Sequence, residues 1–339
     1  MTHTRYGFIL TLLTLSFILF SGCKKEEEAT KEFMKGSVTC SIPTYVVTNE
    51  IVSAYAEGIT TPKNPAYFWY SPELGIDTLW DRNITFKVPQ TPGTYSIELT
   101  AEAPGYYIST KNIEITAINT SSVSGLKASD RTFTDPRDGY EYMIKDYGNL
   151  TWFVENLAYA GTPEAPVGVA YENSGSIDKL FGRLYSWNEA TSSHSGSGLG
   201  NGPQGICPEG WSIPTGEDWE DLAKALNGGE PLDFLDTWEG LGSICSASVT
   251  LNGENMWPYS PDNNHSNDSG WNGIPVGNSS DNYQNFENVS VYGMWWSSKE
   301  VNDGQEACYR YIHYNSSAFN LHYVDKDSYG ISVRCVKLK

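Results

Sequence analysis

The 339-residue sequence predicts an all-β sandwich followed by a loop-rich α+β domain, and three observations carry that expectation. Up to Asp130 the apolar residues fall in short alternating runs broken by Pro, Gly and Asn, the period-2 pattern of half-buried strands. From Arg131 onward the texture changes to dense aromatics, few long periodic segments and one amphipathic helical stripe. Across the whole chain Tyr 22, Trp 11 and Gly 32 are high while Lys and Arg are low, which suits β-sheet cores joined by tight turns. At this length two or three domains are expected, ample for a well-buried core.

The first element is a leader. Arg5 precedes an uncharged run from Gly7 to Phe20, GFILTLLTLSFILF, which reads as a signal h-region. Fourteen helical residues at ~1.5 Å each span roughly 21 Å, short of the ~30 Å hydrocarbon core, so residues 1–22 are expected to be a removable signal peptide. Phe20-Ser21-Gly22-Cys23 resembles the bacterial lipobox, in which small residues precede a cysteine that is acylated on sulfur and, after cleavage, on its new amino group. Lipidation at Cys23 makes membrane lipid an expected partner, since two or three acyl chains anchor stably where one binds only marginally. Residues 23–35 form an acidic tether, and Lys24-Lys25-Glu26-Glu27-Glu28 resembles the lysine-plus-acidic signal with which Bacteroidetes lipoproteins reach the outer face of the outer membrane. The expected location is the outer membrane, lipid-anchored and exposed at the cell surface.

Residues 36–118 come next. The segments SVTCSI, IVSAYA, AYFWY, ITFKV, GTYSIELTA and KNIEITA are six strand candidates in about 80 residues, the count of an Ig-like sandwich. Trp69 is its expected core tryptophan, and Cys40, with no cysteine opposite it, is expected to be a small buried hydrophobe. Asn119 to Asp130, NTSSVSGLKASD, is polar, Ser-rich and Gly-containing, and is read as a linker spanning 119–130.

Residues 131–339 form the second domain. Its one clear helix starts at Thr215, an N-cap with Asp218 three residues on. Trp219, Leu222, Ala223 and Leu226 then form one apolar stripe, and Asn227-Gly228-Gly229 ends it. Cys207, Cys245, Cys308 and Cys335 suggest disulfides, because no Cys-x-x-Cys or Cys/His zinc spacing occurs; three pairings are possible.

Charge excludes some partners. Loss of Arg5 with the signal leaves 21 basic against 41 acidic residues, a formal net of −20, which argues against nucleic acid and other polyanions.

Four stretches together resemble the Fibrobacter succinogenes major paralogous domain, a family of Bacteroidetes and Fibrobacter surface lipoproteins. They are Thr151-Trp152-Phe153-Val154-Glu155-Asn156-Leu157; Phe181 to Ala190, FGRLYSWNEA; Cys207 to Trp219, CPEGWSIPTGEDW; and Trp295-Trp296-Ser297-Ser298 with Ser332-Val333-Arg334-Cys335-Val336. This family looks like a branch of the C-type-lectin-like fold shared with formylglycine-generating enzymes. The resemblance therefore implies an all-β Ig-like sandwich followed by an α+β C-type-lectin-like domain, with any binding site carried on long loops. It also implies a Cys207–Cys335 disulfide and leaves Cys245 with Cys308 as the remaining pair.

Catalysis is not expected. The formylglycine-generating relatives use two cysteines and copper; Cys308-Tyr309-Arg310-Tyr311 resembles the neighbourhood of the second cysteine, but the first would fall near Asp303. His3, His194, His265, His313 and His322 have no metal-like spacing, and no nucleophile elbow or phosphate loop occurs. The region most suggestive of binding is the Asn- and Gly-rich insert from Asn255 to Val289. There Trp257, Tyr259, Trp271 and Tyr283 offer stacking faces, while Asp262 and Asn272 offer hydrogen bonds to hydroxyls. No cofactor is expected; calcium is the lesser option, since carboxylates and amides can ligate it but Trp271-Asn272-Gly273 lacks the paired acidic element of calcium lectins. The functional expectation is a non-enzymatic module capturing a glycan or a peptide. The alternative is an accessory subunit of an outer-membrane, TonB-dependent nutrient transporter without a ligand of its own.

Overall fold

The computed structural model describes residues 30–230, 232 and 236–339; the signal segment and Cys23 lie outside them. The chain is β-rich throughout. Its first unit contains β1 (Lys35–Ser41), β2 (Tyr45–Val47), β3 (Ile51–Thr61), β4 (Ala66–Ser71), β5 (Ile76–Leu79), β6 (Asn83–Lys87), β7 (Gly93–Glu102) and β8 (Ser109–Ile118). One sheet has the order β1-β3-β6 and the other β2-β8-β7-β4-β5, antiparallel except for the parallel pair of β2 with β8. The alternation read from the sequence decides which side chains meet. On β3, Val52, Ala54 and Ala56 point inward while Ser53 and Tyr55 face out. Trp69 of β4 is fully buried among Ile97, Leu99 and Ile115 of the same sheet and Val52 and Phe86 of the facing one, and its indole N–H donates to the Asp81 carbonyl at 3.0 Å. Cys40 is half-buried against this core.

The second unit holds two four-stranded sheets. One is built from β9 (Thr132–Thr134), β10 (Glu141–Tyr147), β11 (Leu150–Phe153) and the last strand, Val336–Leu338, which pairs beside β11. The other has Thr237–Trp238, Phe319–Asp325, Glu306–His313 and Tyr292–Val301 in that order. The helix expected from Thr215 runs Gly216–Leu226. Thr215 Oγ1 accepts from the Asp218 amide at 3.1 Å and the Asp218 carboxylate accepts from the Thr215 amide at 2.9 Å, a reciprocal cap. Trp219, Leu222 and Ala223 are buried, with the Trp219 ring 4.8 Å from that of Trp152. Among the described residues three further short helices, Asp178–Phe181, Trp187–Thr191 and Leu241–Cys245, span at most five residues each. Fewer than two turns cannot display a periodic stripe, which is why the sequence did not announce them.

Cys207 and Cys335 form a disulfide, with Cα atoms 5.8 Å apart, tying the segment before the helix to the residue before the last strand. Cys245 and Cys308 do not pair: both are free, buried thiols. Cys245 ends a short helix beside Ser269, whereas Cys308 lies in a strand beside Arg310 and Lys299, so the two belong to different neighbourhoods.

The segment 119–130 is not a free spacer. Its polar residues satisfy their own turns, with Asn119 Oδ1 accepting from the Ser121 amide at 3.1 Å. Val123 and Leu126 pack against a cluster that joins the units: Ile118, Tyr45 and Val47 from the first, Phe181, Tyr171, Val249 and Met256 from the second. Asn252 stitches the junction, its amide donating to the Ala117 carbonyl at 2.7 Å and accepting from the Asn119 amide at 3.2 Å. Composition alone made the segment a linker; two partly buried side chains packed across a junction made it part of the fold.

Candidate functional site

Residues from three of the four stretches that carried the family resemblance meet at Asn156. Strand β11 pairs antiparallel with Val336–Leu338 in a register that sets Trp152 against Val336, and the Phe153 and Leu157 amides donate to the Cys335 and Val333 carbonyls, each at 2.9 Å. In the pleat of 333–336, Val333 and Cys335 join one core cluster, and Arg334 emerges on the opposite face with Val336. There the Arg334 guanidinium is fully buried. Its Nε donates to Asn156 Oδ1 at 3.0 Å, Nη2 to the Asn272 carbonyl at 2.8 Å, and Nη1 to the Trp271 carbonyl. The cation lies 4.1 Å from the centroid of the Trp271 ring and 5.7 Å from that of Trp295.

Asn156 links three of the four stretches. Its Oδ1 also accepts the Trp295 indole N–H at 2.9 Å, and its Nδ2 donates to the Phe181 carbonyl at 2.8 Å and to Ser332 Oγ at 3.3 Å. Burial pushes Arg334 down to about 9, still cationic at neutral pH, with the partly compensating fields of Tyr147 and Glu155 nearby. A buried cation held by neutral carbonyls and rings, beside an Asn156 whose amide is fully engaged, is enclosed within the core. This centre organises the fold.

The insert candidates divide. Trp271 is fully buried, its ring 4.6 Å from Trp295 and 5.8 Å from Trp219, so neither face is open to a sugar. Asn272 is buried too: its Oδ1 accepts the Lys127 amide at 2.8 Å and its Nδ2 donates to the Lys127 carbonyl at 2.9 Å, clamping the joining segment to the second unit. Trp257 is buried and stacks on His265 at 4.7 Å, and His265 Nδ1 lies 2.9 Å from Ser246 Oγ. Tyr283 lies elsewhere, its hydroxyl bonded to the Glu189 carboxylate and accepting from the Ser186 amide at 2.6 Å, where it braces the cap of helix Trp187–Thr191. Burial, and then Glu189, raises its pKa. Of the six, Tyr259, 90% exposed, and Asp262 remain at the surface.

The thiols give no reactive centre. Burial pushes Cys245 up to about 12 and also raises Cys308, the opposite of the depressed pKa that makes a cysteine a nucleophile or copper ligand. With Cys308 and Cys245 in separate neighbourhoods, a paired-thiolate copper site does not fit these two residues. Among the described residues no group of three His, Cys, Asp or Glu is placed to hold a metal ion.

Sequence reasoning missed the cleft at the junction of the two units, of about 400 Å³, walled by Tyr45 and Thr94 on one side and by Phe181, Asn252, Glu254 and Met256 on the other. No linear signal announces it, because its walls come from segments distant in sequence, from Tyr45 to Met256.

Compared with the curated proteins, the chain matches none. Against models of protein families, residues 146–337 match that of the Fibrobacter succinogenes major domain, more than half of the chain and all of the Asn156 network. The chain belongs to the Fibrobacter succinogenes major domain family.

Proposed function

We propose that the protein is a lipid-anchored, surface-exposed outer-membrane protein that captures a glycan or a peptide without transforming it, an Ig-like sandwich presenting a C-type-lectin-like domain. One observation carries this reading. The chain enters the sandwich beside the β7–β8 turn, where the Glu32 amide donates to the Gly105 carbonyl at 2.9 Å and the Tyr107 amide to the Glu32 carbonyl at 2.8 Å. It leaves at Ile118, the far end of β8. Ten strand residues at ~3.3 Å separate those two points by about 30 Å, so the point where the chain enters the sandwich and the point where it leaves for the second unit lie at opposite ends of it. Reach away from a bilayer is what that arrangement supplies.

The internal use of Asn156 and Arg334, and thiols raised by burial, support a non-catalytic role. Two experiments test the reading. Cys23→Ser should move the protein from the membrane to the soluble fraction and abolish metabolic labelling with palmitate; retention in the membrane would refute the anchor. Glycan-array and affinity-gel binding by Thr30–Lys339 tests capture. Silence across glycans and peptides, together with co-purification of a TonB-dependent transporter, would favour the accessory-subunit reading.

A further inference from the structure

Of the eleven tryptophans in the chain, ten are at most 3% exposed, and the eleventh, Trp80 in the first unit, is 58% exposed. We propose that Trp80 and the cleft beside it form a binding site for a neutral oligosaccharide on the sandwich, not on the insert of the second unit. The proposal rests on the capture reading and gives that reading a ligand class and a place.

Trp80 follows β5 and lies over the outward side of β4, its ring 4.6 Å from that of Phe68, which supports one face and leaves the other to solvent. Alongside is a cleft of about 320 Å³ lined by Asn64, Tyr67, Asp81 and Arg82. That volume is at the low end for small-ligand sites and matches one or two sugar rings. Its walls are held in place. Arg82 Nε donates to the Ala56 carbonyl at 2.9 Å and its guanidinium lies 5.2 and 5.4 Å from the ring centroids of Tyr55 and Tyr67. Asp81 accepts the Trp69 indole at its carbonyl and the Asn83 amide at its carboxylate, at 3.0 and 3.1 Å. Tyr67 is buried, and its hydroxyl has no hydrogen-bond partner among the described residues. A buried polar group left unpaired is costly, and one at the wall of a cleft gains when a ligand hydroxyl reaches it.

The chemistry matches a pyranose. The apolar C–H face of the ring packs on the indole, and its hydroxyls meet the polar residues that line the cleft, Asn64, Asp81 and Arg82, with the buried Tyr67 phenol behind them. Asp81 beside Arg82 balances the charge of the cleft, which is why the ligand is neutral.

The test uses iodide quenching of the full-length mature chain in detergent, because with ten indoles buried the quenchable emission reports Trp80. Cello-, xylo-, manno- and chitohexaose are titrated in turn. At least one should protect Trp80 from iodide. Trp80→Ala should raise the Kd measured by calorimetry by about thirtyfold or more, as expected for the central anchor of an interface. Tyr67→Phe should raise it by about fivefold, the worth of one hydrogen bond. Thermal melting no lower than that of the wild type in both variants, with a rise in Tyr67→Phe where an unpaired buried hydroxyl is removed, and unchanged affinity in Tyr259→Ala complete the expected result. Full affinity in Trp80→Ala overturns this site while leaving capture intact, and loss in Tyr259→Ala would move the site to the insert. No binding of any of the four sugars, or protection of Trp80 only on mixing with another outer-membrane protein, overturns the oligosaccharide assignment.

Discussion

Arg334 and His265 show how much of this fold depends on single buried polar side chains. Replacing Asn156 with Leu would leave the Arg334 Nε and the Trp295 indole without their shared acceptor inside a closed core. Breaking a buried charged network from one side costs about 3–5 kcal/mol, so Asn156→Leu should lower the urea midpoint sharply. Arg334→Met, which removes the charge and keeps an apolar body against Trp271 and Trp295, should cost less than Asn156→Leu, and the reverse order would refute the cage. His265 acts through protons. It is buried against Trp257, and desolvation lowers its pKa from 6.5 to about 4. Between those values the unfolded chain binds a proton that the folded one refuses. The stability present above pH 6.5 is therefore lost as pH falls through that window, by up to about 3 kcal/mol. Burial also raises the carboxyls of Glu155, Asp178 and Asp218, so the measurement is a difference: denaturation of wild type against His265→Gln from pH 7 to 4. The gap between them should narrow as pH falls; a constant gap would show that His265 takes up its proton in both states alike.

Elements were legible where the local signal was complete. The helix after Thr215 announced itself because cap, apolar stripe and terminating glycines all lie within fifteen consecutive residues, and Gly216–Leu226 realises each. The sandwich strands did so because alternation is a local pattern, and Trp69 was legible as core for the same reason. The insert 255–289 misled because its composition has two physical meanings. Asn267, Asn272, Asn282 and Asn288 all take left-handed backbone conformations, which asparagine tolerates well. Repeated tight turns of that kind pack a segment down as readily as they make it a free loop, and the difference is set by Trp257 and Trp271 being drawn into distant cores. The Cys207–Cys335 pairing came from family likeness and not from spacing. It closes a sequence separation of 128, worth about 5 kcal/mol in the chain-entropy account. Cys207→Ser with Cys335→Ser should therefore melt well below wild type, whereas Cys245→Ala with Cys308→Ala, which removes no cross-link, should shift melting only by the packing of two thiols. Equal losses in the two double variants would show that the cross-link adds little beyond the packing of its own sulfurs.

At the scale of the whole molecule the question is whether the two units behave as one body. The junction combines an apolar cluster around Ile118, Phe181 and Leu126 with polar stitches on both flanks. Asn252 bonds to Ala117 and Asn119 on one flank; on the other, Ser174 Oγ accepts the Tyr45 amide at 2.9 Å and Ser176 Oγ donates to Glu50 at 3.0 Å. Interfaces between domains of one chain are ordinarily mobile unless they are apolar and well packed, and this one is built in the second way. The prediction is that the folded chain melts in a single cooperative transition and that limited proteolysis spares 119–127. Asn252 sits in a left-handed turn with both ends of its amide engaged, so Asn252→Ala removes two bonds and an αL-tolerant residue together. Combined with Ile118→Ser, which puts a hydroxyl into the cluster, it should split the calorimetric transition in two, expose 119–127 to protease and increase the radius of gyration in solution scattering. The sandwich and the Asn156 network, being internal to their own units, should each keep their circular-dichroism signature. If instead both units lost structure together, the junction would be a folding requirement for each, and the sandwich could not serve as an independent spacer between a membrane anchor and the second unit.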